Sequence, residues 1–184
     1  DGLSNNMAWV GEYDNKLVFN VDILDLIDNL EYFYEPYIQT LTHESIHLLQ
    51  FNQLDRSTQD VKSCRTYFVQ GWGCTLNFSY MNEYYQRFWK GKYSDYLDLV
   101  SVPDEQRWEF RQKFYDQYPD QFVSVYAVSS PEEDFAETFR NYVWNKSEGF
   151  DYEGMIGEKF AYFDSTLGLK RLKESFINGQ KADI

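Results

Sequence analysis

Both histidines of this 184-residue chain lie within five consecutive residues, His43-Glu44-Ser45-Ile46-His47. Residues four apart on an α-helix share a face, so the two imidazoles can converge on one metal ion while Glu44 lies beside them. The H-E-x-x-H spacing therefore asks for a rigid, buried helix here, because two ligands are then fixed by backbone geometry alone. The alternative is a solvated helix face carrying two unrelated histidines.

The surrounding pattern supports a helix. Pro36 opens an amphipathic segment running through Ile38, Leu41, Ile46, Leu48, Leu49 and Phe51. Before it, Lys16 to Val21 reads as a strand and Ile23 to Leu30 as a short amphipathic helix. After it, helices are expected over Thr58–Gln70, Cys74–Trp89 and Asp104–Tyr118, broken at Gly71-Trp72-Gly73 and Gly91-Lys92. Gln121 to Ala127 reads as extended. The next helix has a clear start, with Ser130 as N-cap, Pro131 in first position and Glu133 in third. A last helix is expected over Lys159–Ile177. The sum is an α+β, predominantly helical fold with a small sheet, in one domain spanning 1–184.

Composition narrows the partners. The formal net charge is −13, which disfavours nucleic acid and acidic membranes, whose affinity rests on Lys and Arg neutralising phosphate. No apolar run approaches a transmembrane segment. No signal peptide is visible, and the start at Asp1 reads as a processed or trimmed chain. Aromatic residues make up 20%, and the stripe from Tyr67 to Trp89 is expected to pack the core, with a cleft wall as the second possibility. Cys64 and Cys74 could close a short disulfide loop or remain two partly buried thiols.

A catalytic zinc site commonly has three protein ligands and one water. With no third histidine, a carboxylate or a cysteine must complete the set. The best candidates lie in Glu132-Glu133-Asp134-Phe135-Ala136-Glu137. Glu133 and Glu137 are four apart at a helix start, so one can bind the metal while the other hydrogen-bonds a ligand imidazole. Glu132 and Asp134 compete for the metal role, and Glu133 could instead complete a capping box with Ser130.

The H-E-x-x-H helix, a following tyrosine and the E-D-F-A-E helix resemble the gluzincin-type metallopeptidases related to the anthrax lethal factor catalytic domain. Clostridial Pro-Pro endopeptidases and zinc-binding metallopeptidases of bacterial surface lipoproteins share the pattern. The resemblance covers about residues 37 to 52 and 121 to 143. It implies a zincin-like domain with one catalytic Zn2+ held by His43, His47 and Glu133, and with Glu137 supporting a histidine ligand. It implies Glu44 as general base and Tyr126, seven residues before Glu133, as oxyanion donor. Ile46 stands where such relatives usually carry Gly or Ala, and the stretch between His47 and Glu133 is longer than in the compact members.

The expectation is a secreted or surface-anchored bacterial zinc metallopeptidase acting on a peptide or protein substrate. A catalytically silent zinc-binding scaffold, or a zinc hydrolase of a non-protein amide, are the alternatives. The strand over Lys16–Val21 is a candidate to pair with an extended substrate.

Overall fold

A computed structural model describes residues 8–14, 16–21, 30–57, 60–144 and 154–181. The expected helix over Ile23 to Leu30 lies outside the described residues, apart from its last position. The described residues form an α+β, predominantly helical structure.

Strands β1 (Ala8–Tyr13) and β2 (Lys16–Val21) form an antiparallel hairpin. Tyr13 faces Lys16 across the turn, and Asp14 takes the positive φ of 51° that a tight hairpin turn needs. The 22-residue helix α1 (Leu30–Phe51) follows and carries both histidines. It starts at Leu30 rather than Pro36, so the proline sits inside it. Proline's fixed φ is helical, but at the seventh position it removes one N–H from the ladder.

The segment expected to be helical over Thr58–Gln70 is not. From Val61 it holds one 3-10 turn, Val61–Ser63, and then a strand. Strands β3 (Leu54–Asp55), β4 (Phe68–Val69) and β5 (Gly73–Thr75) make a small antiparallel sheet with β5 in the centre. Gly71 and Gly73, read as a helix break, turn this hairpin at φ of 79° and 123°, values that suit glycine. A disulfide between Cys64 and Cys74, Cα atoms 5.7 Å apart, ties the approach to β4 onto β5.

Helix α2 (Tyr80–Phe88) starts at the Ser79 N-cap, six residues later than expected from Cys74. An unexpected helix α3 (Tyr93–Val100) follows, then α4 (Arg107–Gln117), which continues a 3-10 turn at Asp104–Gln106. Gln121 to Ala127 is not extended and runs instead into a 3-10 turn at Tyr126–Ser129. Helix α5 (Pro131–Trp144) begins where the capping signals place it. The last expected helix is two, α6 (Gly154–Ser165) and α7 (Leu167–Lys181). Thr166 marks the joint, its hydroxyl donating to the Tyr162 carbonyl at 2.8 Å.

α5 is the axis of the core. Phe135, Ala136 and Phe139 are fully buried there, with α1 packed along one side and α2 and α6 on others. The aromatic stripe packs as expected in Tyr84, Phe88 and Trp89, although Phe78 is 84% exposed. One buried charge network fixes α5 in register. Asp134 Oδ2 accepts from Lys159 Nζ at 2.6 Å, Trp89 Nε1 at 2.8 Å and the Tyr84 hydroxyl at 2.9 Å.

Candidate metal centre

Burial of α1 against α5 brings His43 and His47 into the interior, at 5% and 6% exposure, facing the start of α5. Ile46 lies fully buried between them in sequence and belongs to the core. The Ser130 hydroxyl caps the Glu133 amide at 3.2 Å, which sets the first turn of α5. The Glu133 carboxylate does not return to that cap. Its Oε2 lies 3.0 Å from His43 Nε2 and 3.5 Å from His47 Nε2, and the two Nε2 atoms are 3.0 Å apart.

The far side of each ring decides what those nitrogens can do. His43 Nδ1 lies 2.9 Å from Glu137 Oε1, and His47 Nδ1 lies 2.8 Å from Gln50 Oε1. Both partners are acceptors, since the Gln50 amide nitrogen donates to the Glu132 carbonyl at 3.1 Å. Each Nδ1 must therefore carry a proton. That leaves both Nε2 atoms to bind a cation, either a proton or a metal ion. Glu133 Oε2 is buried with no hydrogen bond of proper geometry, and its neighbours are these two nitrogens.

Three donors around one tetrahedral ion at ordinary zinc bond lengths stand about 3.3–3.5 Å apart. Of the observed separations, 3.5 Å falls in that range and the two at 3.0 Å are somewhat tighter, so small side-chain shifts would admit the ion. His43, Glu44 and His47 also bring ligand atoms within 4.8 Å of one another. Glu44 is nonetheless the weaker candidate for a ligand. Its Oε1 stays 4.0 Å from His43 Nε2, and its Oε2 accepts the Val10 amide proton at 3.0 Å.

The remaining acids separate cleanly. Glu137 orients His43, and its other oxygen accepts from Arg140 at 3.0 Å and from the Ser124 hydroxyl at 3.1 Å. Asp134 is spent on Lys159 in the core. Glu132 sits against Tyr67, and among the described residues it is not one of the carboxylates within 4.0 Å of an imidazole nitrogen. The cysteines are joined to each other and cannot be ligands.

Electrostatics follow this arrangement. Burial pulls the His43 imidazolium down, but the Glu133 and Glu137 carboxylates outweigh it and carry its pKa up to about 9. Glu133 is held well below the usual carboxylate range; burial opposes this, and the two imidazoles, 3.0 and 3.5 Å from its Oε2, overcome it. Burial raises Glu44, with the nearby imidazoles opposing. Burial, with Glu133 nearby, raises the Tyr126 phenol.

All of this opens into a cleft of about 1040 Å³. Tyr126 stands on its rim, 47% exposed, with its ring 6.1 Å from that of His43. The strand lining the cleft is β1, through Ala8, Trp9 and Val10, and not the Lys16–Val21 strand expected to receive substrate. On the far wall His47, Phe51 and Trp72 stack in sequence, with centroid distances of 5.6 and 4.4 Å.

No family model matches this chain, and no curated protein or solved structure is significantly similar to it.

Gln50, Arg140 and Ser124 escaped the sequence reading. Gln50 and Arg140 each lie one helical turn after a site residue, at i+3 from His47 and Glu137, so spacing could have found them. Ser124 falls within the second resembling segment, residues 121 to 143, but nothing in the sequence assigns it to Glu137.

Proposed function

We propose that this protein is a zinc-dependent metallopeptidase of the zincin type. One observation carries the proposal: two imidazole Nε2 atoms, freed by protonated Nδ1 positions, converge with Glu133 Oε2 beside the Glu44 carboxylate, which the Val10 amide engages. His43, His47 and Glu133 would hold the ion. An N2O donor set suits zinc, and the open cleft leaves a coordination position for water or substrate.

When bound, zinc supplies a polarising charge that makes a water nucleophilic near neutral pH and draws electron density from a carbonyl. Glu44 accepts the proton of the attacking water and returns it to the departing amine. The Val10 amide holds one Glu44 oxygen, so the other is aimed toward the imidazoles. Tyr126, kept protonated in its environment, donates a hydrogen bond to the developing oxyanion; such a donor is typically worth about 3 kcal/mol of transition-state energy. Glu137, Ser124 and Arg140 orient His43, and Gln50 orients His47.

A substrate of peptide or protein character fits an open cleft bordered by a strand edge. The Cys64–Cys74 disulfide supports an oxidising setting, hence a secreted, periplasmic or cell-surface protein. Among the described residues no helix is long and apolar enough to cross a membrane.

The test is cleavage of a mixed peptide library, read by mass spectrometry, with the parent protein, the chelator-treated protein and Glu44→Gln. New peptide termini from the parent alone support the proposal. Zinc binding without cleavage of any peptide would favour a silent scaffold or a hydrolase of another amide.

A further inference from the structure

Beside the metal centre the same cleft has a second lobe that the hydrolytic machinery does not use. Its floor is Glu132, 7% exposed, and its walls include Tyr67, Tyr93 and Tyr96. Tyr93 stacks on Tyr96 with centroids 5.5 Å apart, and Tyr67 meets Tyr93 edge-on at 5.7 Å. The Tyr96 hydroxyl is committed to the Ser129 carbonyl at 2.7 Å, which fixes that ring in place.

Glu132 Oε1 is buried without a hydrogen bond of proper geometry, although the Tyr67 and Ser130 hydroxyls stand beside the carboxylate. A buried carboxyl oxygen left unsatisfied is costly, and such atoms in native proteins commonly mark a place where another group binds. Arg107 also borders the cleft, but it is engaged with Asp104 at 2.9 Å. No cation of the chain is paired with Glu132 among the described residues.

We infer that this lobe is a specificity pocket for a basic side chain, lysine or arginine, of the peptide substrate, with Glu132 as the residue that selects it. A long alkyl stem lies against the tyrosine rings, whose faces attract a cation, and the terminal charge reaches the unpaired Glu132 oxygen. Glu132 lines the same cleft as His43, His47 and Glu133, so the bound side chain belongs to a residue close to the scissile bond. The net charge of −13 adds a favourable long-range field for cationic peptides. This inference rests on the peptidase proposal for its biological meaning but is measurable as binding alone.

The probes are blocked heptapeptides with lysine, norleucine or glutamate at one scanned position, titrated calorimetrically into Glu44→Gln protein in zinc-containing buffer. The lysine peptide is expected to bind at least tenfold more tightly than its norleucine twin at one position. Glu132→Gln should reduce that ratio below threefold. Should Glu132→Gln fail to fold, Tyr93→Leu provides a second test and is expected to weaken the lysine peptide at least threefold. Equal binding of lysine and norleucine, or a lysine preference that survives both substitutions, overturns the pocket. Lysine-selective binding with no cleavage by the parent overturns the peptidase proposal and leaves the pocket standing. Cleavage without basic preference does the reverse.

Discussion

Gln50 Oε1 accepts the Nδ1 proton of His47 at 2.8 Å, while the Gln50 amide nitrogen is held by the Glu132 carbonyl at 3.1 Å. One side chain thus fixes the tautomer of a candidate ligand and links it to the helix that carries Glu133. Gln50→Leu should weaken zinc affinity roughly 10- to 100-fold. It should also cost about 1–3 kcal/mol of stability, because two buried polar partners are orphaned. Competition with a zinc-sensitive dye and a denaturant titration measure the two effects. Unchanged zinc affinity would remove Gln50 from the site.

The metal-free and zinc-bound proteins should respond oppositely to pH. In the metal-free protein the raised His43 pKa adds stability that is fully present below 6.5 and is lost as pH rises through about 9. The lowered Glu133 pKa adds stability present above 4.5 and lost as pH falls. Chelated protein should therefore melt highest between about pH 5 and 6.5. Zinc must displace the His43 proton, so the zinc-induced rise in Tm should be larger at pH 8.5 than at pH 6.5. Calorimetry in buffers of different ionisation enthalpy should detect proton release on zinc uptake. A zinc effect that shrinks between pH 6.5 and 8.5 would contradict this scheme.

β1 meets the proposed general base through one amide. The hairpin register places Val10 opposite Phe19, and the Val10 N–H points out of the ladder to Glu44. Val10→Pro removes that donor while sparing the β1–β2 hydrogen bonds. The expected outcome is full zinc content with kcat lowered about 10- to 100-fold, since a misplaced proton acceptor loses much of the advantage of general-base catalysis. Steady-state kinetics with a cleaved peptide, beside elemental analysis, decides it; wild-type kcat would show that Val10 does not position Glu44.

The core charge pair predicts an asymmetry. Asp134→Ala strands Lys159, a fully buried lysine whose pKa burial already lowers, and should cost about 3–5 kcal/mol. Lys159→Met leaves Asp134 with Tyr84, Trp89 and Thr138 as donors and should cost clearly less. Denaturant unfolding of both variants gives the comparison. Equal losses would mean that Lys159 carries more of the network than these contacts indicate.

The sequence made the two site-bearing helices legible because each has a local cause. The histidine spacing demands one helix, and Ser130 with Pro131 starts the other. The region from Cys64 to Thr75 was not legible. Its structure depends on a cross-link between Cys64 and Cys74 and on two left-handed glycines, while its aromatic residues imitate helical spacing. The strand lining the cleft was misplaced for a related reason. β2 is the more obviously apolar strand, but β1 packs more closely on α1 than β2 does. The roles of neighbouring Glu132, Glu133 and Asp134 were open in sequence. One turn of helix points each carboxylate to a different environment, and that is a property of packing.

The most direct test is bound zinc per chain, by elemental analysis, in the parent protein and in Glu133→Ala after identical loading and desalting. The account predicts about one zinc per parent chain and a large loss in the variant, as expected for a three-ligand site reduced to two. Full zinc in Glu133→Ala, or none in the parent after loading, would contradict it.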